Sequence, residues 1–173
     1  SAWRDARIGR IYEGTNEINR MLSIGMILKK AMKGELDIMS AYQDIIENKS
    51  QETIENSEEL NDEITLVENM KKVFLLLLGK SFEKFGPEID KKQQVLLSLS
   101  DLAIETYISE STLKRTVKNI KRTSTIDQEY QISMSKLYIY EAAKIIEKKS
   151  RDIINSVIAV SYTHLTLPTK WWV

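Results

Sequence analysis

The sequence is 173 residues long and balances 25 Lys and Arg against 25 Asp and Glu, with 42% hydrophobic residues, 6 Gly, 2 Pro and no Cys. Lack of Cys excludes disulfides and Cys-based metal sites, and zero net charge removes any bulk electrostatic pull toward nucleic acid. The longest apolar run, Val73 to Leu78, falls far short of the roughly 20 residues that span a bilayer.

Scarce Gly and Pro with abundant Leu, Ile, Glu and Lys fit an all-α protein, and absence of Cys suits a cytoplasmic location. Ser1 is not an initiator Met, and no charged-then-apolar signal pattern opens the chain. Arg4 to Gly14 reads as a loop or the end of an element, with Gly9 and Gly14 as flexible points. A helix is predicted to start at Thr15 or Asn16, both good N-cap residues. Glu17 then lies in its first turn, where negative charge suits the helix dipole. Ile18, Met21, Leu22 and Met26 recur at helical spacing and are expected to form its buried stripe, with Gly34 as the stop. Asp37 is positioned to cap a short helix carrying Ile38, Tyr42, Ile45 and Ile46.

Asp44 to Glu68 holds nine acidic residues against Lys49 alone. It is poor in apolar side chains, so it reads as a mobile linker that cannot offset its own ordering entropy. Ile64 to Phe85 has the length and period of a helix, with Val67, Met70, Phe74, Leu77 and Leu78 on one face. Gly86-Pro87 ends it. A second long helix is expected from about Glu88, with Leu96, Leu99, Ala103 and Tyr107 inward, continuing or restarting into Leu113, Val117 and Ile120. Ser124 and Thr125 mark a turn. A third helix runs from Gln128 toward Val157, with Ile132, Leu137, Tyr140, Ile145 and Ile153 as its apolar set. Three long helices with short connections predict an antiparallel bundle. The basic stretch from Lys114 to Arg122 has five cations and reads as a solvated helix face rather than an anion site.

The most specific stretch is Arg4-Asp5-Ala6-Arg7-Ile8, a short spacer, then Ile11-Tyr12-Glu13-Gly14-Thr15-Asn16-Glu17-Ile18-Asn19-Arg20. It resembles the signature near the C-terminal end of the acyl-CoA dehydrogenase catalytic unit. Gly9 departs from the polar residue many relatives carry there. The resemblance implies that Glu13 is the base that removes the α-proton of an acyl thioester, its backbone N–H helping to polarise the thioester oxygen. Gly14 would leave room for the substrate. Thr15, Asn16 and Glu17 would approach the FAD cofactor at a helix N-terminus. A carbon acid this weak needs a carboxylate in a dry site, donors to the developing enolate oxygen and a flavin to take the hydride.

Beyond the motif, Met32-Lys33-Gly34 leads into the acidic segment and a helical extension. Lys80-Ser81-Phe82-Glu83-Lys84-Phe85-Gly86 and Asp101-Leu102-Ala103-Ile104-Glu105 are similar to parts of the extension in the very-long-chain acyl-CoA dehydrogenase group and its bacterial relatives. That layout implies an acyl-CoA substrate, electron-transfer flavoprotein as electron acceptor and a homodimer, with the extension packed on the catalytic unit. Membrane association, attributed to this extension in mitochondrial members, is not carried over, because no strongly amphipathic basic helix stands out. Residues 1–34 would close the catalytic helical domain, 35–63 hold a short helix and the acidic linker, and 64–159 form the extension. Most of the flavin site would lie upstream, so the chain reads as the C-terminal part of a longer enzyme.

Residues 160–173 read differently. Val160-Ser161-Tyr162-Thr163-His164-Leu165-Thr166-Leu167-Pro168-Thr169 is what one frame of a common transposon-type sequencing adapter encodes, and a short index and stop codon would account for Lys170 to Val173. Such a tail is left out of fold reasoning, and no role is given to His164. The alternative to an enzyme is a non-catalytic helical interaction module with Glu13 incidental, which accounts for the extension but not for the ordered run from Arg4 to Arg20.

Overall fold

The computed structural model describes residues 2–47, 58–120 and 126–157. Its elements are α1 (Ala2–Ile8), α2 (Asn16–Met32), α3 (Ile38–Ile46), a 3₁₀ turn (Glu58–Leu60), α4 (Asn61–Phe85), a second 3₁₀ turn (Gly86–Lys91), α5 (Gln93–Ile120) and α6 (Ile126–Val157). The described residues are all-α. The linker core at 48–57, the turn at Ser124-Thr125 and the tail at 160–173 lie outside them.

Local chemistry sets the helix ends. Thr15 caps α2, its hydroxyl accepting from the Ile18 N–H at 3.4 Å, and Asp37 caps α3 by accepting from the Ser40 N–H at 3.0 Å. After α2 the chain turns at Gly34, whose φ of 75° is open to glycine. Of the two readings of Arg4 to Gly14, Arg4 to Ile8 is the end of a helix and the turn follows it. The acidic segment also ends earlier than its composition suggested. Leu60, Ile64 and Val67 form a buried stripe, and Asp62 and Glu63 sit in the first turn of α4, where the helix dipole favours them. Glu88 to Lys91 forms the 3₁₀ turn, and α5 then runs unbroken through the expected restart.

Helix α5 is the spine. It runs antiparallel to α4, where Lys71 Nζ lies 2.8 Å from Glu110, and to α6, where the Thr116 and Ser135 hydroxyls meet at 2.6 Å. Helix α2 also packs antiparallel on α5, with Ile24 and Leu28 in the same hydrophobic cluster as Leu99, Leu102, Ile139 and Ile153. Between α4 and α5, Lys71 bridges Glu68 and Glu110, and Lys114 adds a second cation to Glu110 at 2.6 Å. Burial works to raise the Glu110 carboxyl, but the two ammonium groups outweigh it and hold it below the usual carboxylate range. Arg115 and Lys118 are exposed, as expected of a solvated face.

Several expected core positions point outward instead. Ile18, Leu22 and Met26 on α2 are 52–56% exposed, while Ile24 and Leu28 are buried. On α5, Tyr107 is exposed. On α6, Leu137, Tyr140 and Ile145 face solvent while Ile139, Ala142, Ile146 and Ile153 face the core. Both α2 and α6 carry two apolar stripes, and period alone cannot choose between them; contact with α5 does.

Candidate functional site

The five candidate residues fall in one turn, between the end of α1 and the first turn of α2. The link is short and hydrogen-bonded. The Ile11 and Tyr12 N–H groups donate to the Ile8 carbonyl at 2.9 and 3.2 Å, and the Asn16 N–H donates to the Arg10 carbonyl at 3.2 Å. Glu13 and Gly14 form the apex. Glu13 has φ 56°, the one non-glycine residue with positive φ among the described residues, and Gly14 has φ 94°. Left-handed backbone at a glutamate is uncommon, and such strained positions cluster at functional sites.

Two side chains lock this apex. The Asn19 amide donates to the Gly14 carbonyl at 3.0 Å, and a Cβ on Gly14 would sit 2.6 Å from Asn19 Oδ1. Gly14 is therefore required both for its φ and for the close approach of Asn19. Thr15 is the N-cap, Asn16 opens the helix and Glu17 lies in its first turn. Glu13 and Glu17 are exposed; Gly14, Thr15 and Asn16 are half-buried. One carboxylate, one positive-φ glycine and a capped helix N-terminus thus follow one another in a single, largely exposed turn.

Trp3, Ile8, Ile11 and Tyr12, on α1 and in the turn, are all exposed, and Ile18 and Leu22 on α2 line an open groove with Phe82, Pro87 and Ile89. An exposed carboxylate remains hydrated, so general-base chemistry on a carbon acid needs a covering surface opposite this one. Of the first α2 amides, Asn16 already donates to the Arg10 carbonyl and Ile18 to the Thr15 hydroxyl, so these residues would supply only one edge of a flavin site. Among the described residues no group of His, Cys, Asp and Glu is placed to hold a metal ion, and no helix is long and apolar enough to cross a membrane.

Two residues in the motif carry structural duties that sequence reasoning did not assign. Asn19 fastens Gly14, and Arg20 pairs with Asp101 Oδ1 at 3.3 Å. An Asn shortly after a positive-φ glycine is a readable signal. The Arg20 partner is remote in sequence and gives none.

A family model described as "Acyl-CoA dehydrogenase, C-terminal domain" matches residues 69–167. A probable acyl-CoA dehydrogenase of Bacillus subtilis (strain 168) is 34% identical over 153 residues, covering 87% of this chain and 26% of the relative. The crystal structure of a Bacillus anthracis acyl-CoA dehydrogenase complexed with FAD superposes with a TM-score of 0.80 at 35% identity, covering 90% of this chain and 26% of that one. The chain therefore spans about a quarter of the length of these relatives.

Proposed function

This chain belongs to the acyl-CoA dehydrogenase family, and from that premise we propose that it is the C-terminal part of a flavin-dependent enzyme that oxidises acyl-CoA to trans-2-enoyl-CoA, with Glu13 as the base. The observation that carries this reading is the Glu13-Gly14 apex. A glutamate held at φ 56° beside a glycine at φ 94°, directly before a capped helix, is an uncommon local conformation of the kind that clusters at functional sites.

In this reading the Glu13 carboxylate takes the proton from the carbon next to the thioester carbonyl. The electron pair of that C–H bond moves into the new double bond as the neighbouring carbon loses hydride. FAD, when bound, supplies the hydride acceptor that no side chain can replace. The Glu13 N–H would donate to the thioester oxygen as negative charge grows there. Gly14 keeps the approach clear. Thr15, Asn16 and Glu17 would help to hold the cofactor at the helix N-terminus. We read the parent as a relative of the very-long-chain group and its bacterial members, a homodimer that passes electrons to electron-transfer flavoprotein; the helical extension after the motif supports this reading. The 173 residues alone, with one edge of the site, are expected to bind no productive acyl-CoA and to turn nothing over.

The test is Glu13→Gln in the longer polypeptide that includes the upstream flavin site. The amide keeps the shape of the carboxylate but cannot take the proton. Flavin bleaching by acyl-CoA, followed anaerobically in a stopped flow, should slow by about 10²- to 10⁴-fold, the range for a lost general base. Enoyl-CoA affinity, read by titration, should change far less. Bleaching within about threefold of wild type would remove Glu13 from the role, since a lost base costs at least an order of magnitude more.

A further inference from the structure

Asp101 opens the Asp101-Leu102-Ala103-Ile104-Glu105 segment, yet the proposed chemistry makes no use of it. Its carboxylate is only 13% exposed and each oxygen meets a cation from a different helix. Arg20 of α2 lies 3.3 Å from Oδ1 and Lys149 of α6 lies 2.8 Å from Oδ2. The neighbouring Ser100 hydroxyl meets Ser23 Oγ at 3.1 Å, and Ser23 donates to the Arg20 carbonyl at 2.8 Å. Arg20 is thus held through its side chain by Asp101 and through its backbone by the Ser100–Ser23 pair.

The position of this clamp on α2 matters. Toward the C-terminus, Ile24 and Leu28 already anchor the helix in the core. Toward the N-terminus, Asn16 to Asn19 are exposed or half-buried, so the first turn has no buried side chain of its own. Arg20 is the last fastening before that turn, and its neighbour Asn19 holds the Gly14 carbonyl. We infer that Asp101 is a positioning residue that, through Arg20, fixes the first turn of α2 and with it the Glu13–Glu17 apex against the α5–α6 pair. The effect on catalysis rests on the role proposed for Glu13; the effect on the apex does not.

Hydrogen exchange on the 173-residue chain tests the positioning directly. Asp101→Asn keeps the shape of the side chain and removes its charge. Amides from Asn19 to Ser23 should exchange about tenfold faster, while those in the middle of α4 and α6 change by less than about twofold, because local opening draws on local fastenings. Arg20→Met should reproduce the pattern, and since Arg20 is 41% exposed it also serves if Asp101→Asn folds poorly. Lys149→Met should not, because it leaves the Arg20 contact in place. Uniform acceleration through all helices, equal loosening of α2 by Lys149→Met, or no change in α2 would each overturn the inference. In the longer enzyme, Asp101→Asn should slow flavin bleaching about tenfold with acyl-CoA affinity nearly unchanged, the signature of a misplaced reacting group. A loosened α2 with an unchanged bleaching rate would keep the positioning and count against Glu13 as the base; unchanged exchange would sink the positioning whatever Glu13 does.

Discussion

Along α5, Leu96, Leu99, Leu102, Leu113 and Val117 are all buried between neighbouring helices, whereas Trp3, Ile8, Ile11 and Tyr12 around the motif stand open to solvent. The two regions have similar apolar content and opposite fates. The α4–α5–α6 bundle satisfies itself: its core closes, and Lys71 and Lys114 are balanced by Glu68 and Glu110 at its seam. The motif segment is ordered by backbone hydrogen bonds and one glycine contact, and it spends its apolar side chains on a surface. The scaffold and the proposed half-site are joined through α2, whose Ile24 and Leu28 are buried in the core and whose Ile18, Leu22 and Met26 stay exposed. If that contrast is right, substitutions should be severe in the first region and mild in the second.

The largest stability effect is expected at Leu99, fully buried in α5. Leu99→Ala removes buried methyl groups and leaves a cavity, at a cost of about 2–5 kcal/mol. Urea unfolding of the chain would show it as a lower midpoint at unchanged slope. A loss below about 1 kcal/mol would mean that the bundle core collapses around the gap, outside the range for buried leucines.

Gly79 comes next. It lies within α4 where the Tyr42 ring of α3 crosses, and a Cβ there would stand 2.6 Å from Tyr42 Cδ2. Alanine gains about 1 kcal/mol of helix propensity, but overpacking costs about 1–3 kcal/mol. Because Tyr42 is itself buried, its ring has little room to withdraw. Gly79→Ala should therefore lose stability on balance and speed exchange of the α3 amides while leaving α5 protected. A net gain would show that the ring swings aside.

How much of this was legible in sequence follows from the range of each interaction. The caps at Thr15 and Asp37, the stops at Gly34 and Gly86 and the existence of the long helices were readable, because those signals act within a few residues. Which stripe of α2 and α6 turns inward was not. Ile18, Leu22 and Met26 look as apolar as Ile24 and Leu28, and only the docking of α5 separates them. At the site, adjacency of Glu13 to Glu17 was given by the chain itself. The positive φ of Glu13 was not, since glutamate has no special liking for left-handed backbone. The Arg20–Asp101–Lys149 cluster joins three helices and leaves no periodic trace.

A smaller, pH-resolved effect is expected at Tyr138. Its hydroxyl donates to Glu105 Oε2 at 3.0 Å, across α5 and α6. Burial, the hydrogen bond and the Glu105 charge together push its pKa up to about 12. The folded state thus keeps the proton that the unfolded chain releases near pH 10. The associated stabilisation is complete below about pH 10 and is lost as pH rises toward about 12. Tyr138→Phe should cost about 1 kcal/mol at neutral pH. The difference from wild type should shrink across that alkaline window. A difference that stays flat with pH would mean that the phenol is not proton-linked to folding.

The smallest effect is expected on the outward stripe of α2, and it is the one that separates the two regions most cleanly. Leu22 is 56% exposed. Truncating it removes little buried area in the chain as it stands, and surface substitutions of this kind usually fall within about 0.5 kcal/mol. Alanine also has the better helix propensity, which offsets part of any lost contact. Leu22→Ala should therefore leave the unfolding midpoint of the 173-residue chain nearly unchanged. In the longer polypeptide, where a surface covering the apolar flank of the motif would dry the site, the same substitution should cost about 2 kcal/mol or more, the usual range for a buried leucine. Equal, small effects in both contexts would mean that this stripe stays wet and that the site is closed from another side. A large loss in the short chain would mean that Leu22 already belongs to the bundle core, and the division into scaffold and half-site would have to be redrawn through α2.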